Sequence, residues 1–269
     1  MDSKATWEEK CRRYLAIASQ FRLGDLPTEK PHPETGDLSI LASEDLPRAL
    51  KILKAIDAAA LRQILQGLDG LEKLKDAVDS TLQAGHRVFI CGCGATGRLA
   101  LALETLWRES FNGTGISERV YGFMAGGDLA LIKSIEDFED VPEYADRQLV
   151  ESGFGEGDLL ISCTEGGETP FVIGATEKAL ELSSLSPFFL YCNPDEILCK
   201  LVERSRRVIQ NPRVETISLD VGPMALSGST RMQASTVLMA AVGFCLLYPS
   251  EPFEKTVDRI HSLISAWDR

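Results

Sequence analysis

The chain has 269 residues, 44% of them hydrophobic and 25% charged, which is ample material for the core of one large domain or two small ones. Its 28 basic and 40 acidic residues leave a net charge of −12, which repels phosphate backbones and excludes nucleic-acid binding by bulk electrostatics. Any phosphate it binds must be held by a local site working against that field.

No run of ~18 apolar residues is present, so no membrane partner is expected; the longest candidate, Val237–Leu247, is too short to span a bilayer. Met1-Asp2-Ser3-Lys4 followed by charged residues is no signal peptide, and the expected location is the cytoplasm. Several of the seven cysteines fall in or beside predicted strands, where cysteine acts as a small buried apolar residue. Cys91 and Cys93 have no second cysteine pair or nearby histidine, so neither a metal nor a cofactor is expected.

Apolar spacing predicts a short amphipathic helix over residues 5–22. Three prolines in the seven residues 27–33 then forbid a regular helix or a central strand. Ser43, with Glu44 and Asp45, is expected to open the next helix, with Pro47 in its first turn. A further helical stretch covers 61–84, bent near Gly67 and Gly70 and ended by Gly85.

From residue 87 the pattern changes. Short apolar runs at Val88–Cys91, Val120–Met124, Leu159–Cys163, Phe188–Cys192 and Thr216–Leu219 alternate with helical segments near 97–110, 128–151, 169–184 and 195–204. Helices over 231–248 and 253–267 follow. Continuous apolar strands alternating with helices define an α/β protein, a parallel sheet covered on both faces. The expected organisation is an N-terminal helical region over 1–85, a three-layer α/β/α sandwich with a five-stranded parallel sheet over 86–249, and a C-terminal helix over 250–269.

In such sheets ligands bind at the carboxyl ends of the strands, so the turns there carry the functional information. The first is Gly92-Cys93-Gly94-Ala95-Thr96-Gly97-Arg98, whose glycines let the backbone approach an anion at a helix N-terminus. It also fits G-x-G-x-x-G, but the acid a dinucleotide site wants ~20 residues on is missing; the first acid after the second strand is Asp128. The second turn is Thr164-Glu165-Gly166-Gly167-Glu168-Thr169-Pro170, with Pro170 fitted to the first helical position. Glu165 and Glu168 sit oddly beside an anion and are expected to face solvent or to bind sugar hydroxyls. The third is Leu226–Ala234, where Ser227, Ser229, Thr230 and Arg231 surround Gly228. Singly, each reads equally well as an ordinary capped helix start. Together they point to one polyhydroxylated, phosphorylated ligand.

These segments, in this order, resemble the sugar isomerase (SIS) domain, in the branch containing N-acetylmuramic acid 6-phosphate etherase and the glucokinase regulatory protein. Thr164–Thr169 is similar to the phosphate loop of that domain, with Thr164 and Gly166 at its usual serine positions. Leu226–Ala234 resembles the branch signature, as do Thr28–Pro33, Ala125–Asp128 and the stretch from Glu136 through Glu139 to Asp140. The resemblance implies a phosphosugar site built from Gly94, Ala95, Thr96 and Gly97, from Thr164, Glu165, Gly166, Gly167, Glu168 and Thr169, and from Ser227, Gly228, Ser229 and Thr230. It also implies a homodimer, with the N-terminal helices packed across a partner, a second copy completing the site and His32 as the candidate reaching a partner's site.

Etherase chemistry removes a lactyl ether by elimination and then adds water. It needs one carboxyl group to deprotonate C2 and another to protonate the leaving oxygen. Glu139 falls on one of these family positions. The other, nine residues past Gly97, is Leu106. Glu104 points ~200° away around the helix, which leaves Glu109, one turn later, as the candidate substitute acid. Gln233 stands where the branch usually has Lys, and Ala95 replaces a common Thr or Ser. The favoured reading is therefore a sensor or regulator that binds a hexose or amino-sugar phosphate. The alternative is an etherase-like lyase or sugar-phosphate isomerase using Glu139, and a more distant one is a dinucleotide-binding protein.

Overall fold

Five apolar runs form a single parallel sheet: β1 (Val88–Gly92), β2 (Val120–Met124), β3 (Leu159–Cys163), β4 (Phe188–Tyr191) and β5 (Glu215–Ser218). The order is β2-β1-β3-β4-β5, all parallel, with Cys91 opposite Phe123 on one side and Ser162 on the other. The computed structural model describes residues 6–18, 22–133, 135, 137–226, 228 and 232–268.

The helices are α1 (Trp7–Ile17), α2 (Leu38–Glu44), α3 (Leu46–Arg62), α4 (Leu68–Gln83), α5 (Gly94–Ser110), α6 (Leu129–Ile132), α7 (Pro142–Glu151), α8 (Pro170–Leu182), α9 (Asp195–Leu201), α10 (Glu203–Ile209), α11 (Gln233–Leu246) and α12 (Phe253–Trp267). The central strands β1, β3 and β4 are buried along their whole length, as a sheet covered on both faces requires, and successive side chains alternate between two cores. Val88 and Ile90 join one core with Leu103 and Trp107 of α5, Val237 and Leu238 of α11, and Leu71 and Leu74 of α4. Phe89 and Cys91 join the other, with Leu149 of α7, Phe171 of α8 and Leu198 of α9. The result is the expected three-layer α/β/α sandwich.

The sheet lies where the apolar runs placed it, and the differences are in the helices. The first helix is shorter than 5–22. Ser43 lies inside α2, and Asp45 is the N-cap of α3, its carboxylate accepting from the Arg48 N–H at 3.2 Å. The 128–151 stretch divides into α6 and α7, and 195–204 divides at Val202, whose backbone is extended (φ −127°). Ala60 and Leu61 of α3 and Leu71, Leu74 and Val78 of α4 are buried in this chain's own core, beside α11 and α12.

Candidate functional site

The strand order reverses direction between β1 and β3: the chain leaves β1 for one edge and β3 for the other. A crevice opens at such a point, outside the carboxyl ends of the strands. Here it is a cleft of about 200 Å³ lined by Glu29, Cys93, Gly94, Ala95, Thr96, Glu139, Glu165, Gly166, Glu168, Thr169 and Gly228. All three glycine-rich turns reach it. It is continuous through Cys93, Gly94 and Glu139 with a second hollow of about 350 Å³ beside α6, bordered by Arg98 and Lys133. A larger cavity of about 600 Å³ lies at the opposite, amino ends of β3–β5, against Leu159, Phe188 and Glu215. None of the glycine-rich turns borders it.

In the first turn, Gly94 has φ +55° and opens α5 directly onto the cleft. Gly97 faces away: a Cβ there would stand 2.5 Å from the Met124 Cβ, so its absence lets α5 lie against β2. Gly97 thus packs rather than binds. Thr96, expected to supply a hydroxyl donor, is buried, and its hydroxyl donates to the Cys93 carbonyl at 2.9 Å while accepting from the Cys93 N–H at 3.0 Å. It caps the helix instead. The Cys93 thiol donates to the Glu139 carboxylate at 3.2 Å. Burial pushes that thiol well up from its ordinary value, and the hydrogen bond to Glu139 adds to the effect.

In the second turn, four successive carbonyls are held by the protein. Glu165 O accepts from the Cys192 N–H (3.0 Å), Gly166 O from Asn193 Nδ2 (2.8 Å), Gly167 O from Ser205 Oγ (2.7 Å) and Glu168 O from Arg204 Nε (2.5 Å). Among the described residues, the N–H groups of Gly166, Gly167 and Glu168 meet no internal acceptor, and such a run of N–H groups before a helix is an anion cradle. Gly167 has φ +80°, and a Cβ there would come within 2.4 Å of Leu198 Cδ2, so it too serves packing. Thr164 is buried and hydrogen-bonds the Thr169 hydroxyl at 3.1 Å, which lines the cleft. The two acids that sat oddly in the sequence are accounted for. Glu168 pairs with Arg204 at 2.6 Å, and Glu165 accepts from Ser235 Oγ at 2.6 Å.

The third turn supplies Gly228 to the cleft; Ser227, Ser229, Thr230 and Arg231 lie outside the described residues, as does Glu136. Gln233, expected only to remove a cation, is buried and clasps the turn: its carbonyl accepts from the Ala225 N–H at 2.7 Å and its amide donates to Pro223 O at 3.0 Å.

The proline-rich segment forms a wall of the cleft. Pro31 bridges Met224 in parallel, with His32 N donating to Met224 O at 2.8 Å and Met224 N to Lys30 O at 2.9 Å. Thr28 is buried and bound twice to Asn193. Glu29 therefore lines the cleft from a segment in which the sequence pointed to His32 alone. Its signal was the Thr28–Pro33 resemblance. Asn193, which the sequence did not single out, stands just past the carboxyl end of β4, a position equivalent to those of the glycine-rich turns after β1 and β3. His32 accepts from the Glu34 N–H at 3.2 Å, a local cap.

Of the two candidate catalytic carboxylates, Glu139 lines the cleft, its backbone carbonyl accepting from Phe171 N at 2.9 Å. Glu109 does not. It is exposed near the far end of α5, 15 residues beyond Gly94, a rise of about 22 Å. Leu106 is exposed on the same helix. Asp128, the nearest match to a dinucleotide acid, is exposed and lies outside both hollows. Among the described residues no cluster of potential metal ligands occurs, and no helix is long and apolar enough to cross a membrane.

Fold and cleft define a doubly wound α/β domain with an anion cradle at its switch point. A family model, the glucokinase regulatory protein N-terminal SIS domain, matches residues 71–180. N-acetylmuramic acid 6-phosphate etherase of Vibrio campbellii is 30% identical over 216 residues, 80% of this chain and 64% of that protein. The etherase of Salmonella agona is 30% identical over 217 residues, 80% of this chain and 67% of that one. The chain thus spans about two thirds of the length of these relatives. A phosphoheptose isomerase from Neisseria gonorrhoeae superposes with a TM-score of 0.47 at 15% identity, over 82% of this chain and 98% of its own. The chain belongs to the SIS-domain family, in the branch of the N-acetylmuramic acid 6-phosphate etherases and the glucokinase regulatory protein.

Proposed function

We propose that the chain binds a phosphorylated hexose or amino sugar at the β1/β3 cleft and acts as a cytoplasmic sensor or regulator. The phosphate would take the free N–H groups of Gly166, Gly167 and Glu168 and the hydroxyl of Thr169, and the sugar would lie toward Gly94 and Glu139. The net charge of −12 does not oppose this, because such a site uses fixed dipoles rather than mobile cations. The observation that carries the regulatory reading is the missing acid: Leu106 occupies the family position, and the substitute, Glu109, stands at the far end of α5.

A homodimer is part of the proposal. Ile40, Leu46 and Leu50 are 60%, 54% and 56% exposed on α2 and α3, an apolar face suited to a second copy. Light scattering on the eluting protein tests it, and a monomer at micromolar concentration would refute it.

The second reading, an etherase-like lyase with Glu139 as base, draws on the place of Glu139 in the cleft and on the named activity of the relatives. Two measurements decide. Thermal-shift titration with hexose 6-phosphates should stabilise the protein by ~2.7 kcal/mol at about 100 times the Kd; no shift with any of them sinks both readings. Incubation with N-acetylmuramate 6-phosphate should release no lactate. Lactate release that Glu139→Gln abolishes would replace the regulator by the lyase.

A further inference from the structure

We propose that Glu29 is a ligand-contacting residue of the cleft, its carboxyl group binding a ring hydroxyl of the sugar while the 164–169 turn takes the phosphate. The inference rests on the phosphosugar reading above and adds to it a residue from outside the sheet.

Three observations carry it. Glu29 lines the same cleft as Glu139 and the free N–H groups of the second turn. Its backbone is fixed on both sides: the Thr28 N–H and hydroxyl are bound to Asn193 at 3.2 and 2.8 Å, and Lys30 O accepts from Met224 N at 2.9 Å. The carboxyl group is thus placed there by the fold. Finally, among the described residues Glu29 has no ion pair and no side-chain hydrogen bond, although it is half-buried and faces Glu168. Glu168 has Arg204; among the described residues Glu29 has no such partner.

Burial, and secondarily the charge of Glu168, push the Glu29 carboxyl up from its ordinary value. A half-buried carboxyl group without a partner is costly to keep, and such groups concentrate at functional sites. The other charged or titratable groups lining the cleft are Cys93, Glu139 and Glu165. Among the described residues that line it none is a cation, so a hydroxyl donor is the partner that this carboxyl group can take. A phosphate is not, because like charges repel. The ligand class is a sugar phosphate whose ring hydroxyls reach about one sugar width beyond its phosphate.

Calorimetric titration of the wild type, E29Q and E29A with fructose 6-phosphate, N-acetylglucosamine 6-phosphate and inorganic phosphate tests the assignment. The expected result is an affinity for at least one sugar phosphate that falls about tenfold in E29A, the loss of one hydrogen bond to a charged group. The loss is smaller in E29Q, and inorganic phosphate binds unchanged or more tightly in both. E29Q is isosteric and carries the test if E29A fails to fold. Sugar-phosphate affinities equal to wild type in both variants would overturn the assignment while leaving the phosphosugar reading intact. A parallel loss of inorganic phosphate would also overturn it, since Glu29 would then only shape the turn. A wild type that binds none of the sugar phosphates overturns the phosphosugar reading and the assignment with it.

Discussion

Asn193 Nδ2 donates to the hydroxyl of Thr28 at 2.8 Å and to Gly166 O at 2.8 Å, so one buried amide, 165 residues from Thr28 in sequence, joins the N-terminal segment to the turn after β3. Its Oδ1 accepts from the Thr28 N–H at 3.2 Å, which uses both ends of the amide. Asn193→Ala would leave the buried N–H and hydroxyl of Thr28 without this partner, at roughly 1–3 kcal/mol for each buried group, and would free the half-buried Gly166 carbonyl. The expected outcome in urea unfolding is a lower midpoint, together with faster proteolysis between residues 22 and 37. Asn193→Asp keeps the acceptor, loses the donor and brings a charge to a fully buried site, so it should fall between only where its carboxyl group is protonated. An alanine variant as stable as wild type would show that water replaces the amide without loss.

Gln233 makes the same kind of clasp within the third turn. Family resemblance puts Lys at this position, yet Lys has no acceptor for the Ala225 N–H and would bring a charge to a site 2% exposed. Gln233→Lys is therefore expected to lower the melting temperature here, and Gln233→Glu, which keeps the acceptor but loses the bond to Pro223 O and buries a charge, to lower it at neutral pH and less where its carboxyl group is protonated. A lysine variant that melts with the wild type would mean that the turn rearranges to give the lysine a way out to solvent.

The sheet was legible because its signal is local: five apolar runs, each bounded by a glycine or polar turn, fall within a residue or so of the strands. The cleft was half legible for the same reason. Gly94, Gly166 and Thr169 follow strands in sequence, so their place at the carboxyl ends follows from the architecture alone. What was not legible depends on tertiary pairing. Nothing within a few residues of Glu29 says that Thr28 will meet Asn193. Nothing near Thr96 says that its hydroxyl will turn back to Cys93 O rather than out to a ligand. Glu109 was chosen by helical phase, which gives direction around α5 but ignores the rise of about 22 Å that takes it away from the cleft. Gly97 packs against β2 although its sequence context is that of a binding glycine, because both roles, close packing and close approach to an anion, select the same residue.

The thiol of Cys93 is held back by its surroundings. Burial is the larger cause of its raised pKa and the bond to Glu139 the next, so at pH 8 its thiolate fraction lies below that of a free thiol. Alkylation by iodoacetamide, followed peptide by peptide in a mass spectrometer, should be slower at Cys93 than at glutathione in the same tube. Glu139→Gln removes the negative partner and should speed the reaction at Cys93. An unchanged rate would assign the protection to burial alone and leave the thiol with no electrostatic tie to Glu139.

Asp57 gives the fold a pH dependence that can be measured apart from the cleft. It lies on the buried face of α3, 8% exposed, and among the described residues its Oδ1 has no hydrogen-bond partner. Desolvation raises its carboxyl pKa above the ordinary value of 3.8. The folded state then holds the proton more tightly than the unfolded chain, so the contribution of Asp57 to stability falls as pH rises from 3.8 through the raised folded value. Above that window the full cost of an unpaired, ionised carboxylate is present. Below it the cost is gone. Asp57→Asn keeps the size and removes the charge. Its melting temperature should exceed that of the wild type at pH 7, and the difference should shrink as the pH is lowered toward 4. A difference that stays constant with pH would show that the amide gains through new hydrogen bonds and that ionisation of Asp57 costs the fold nothing.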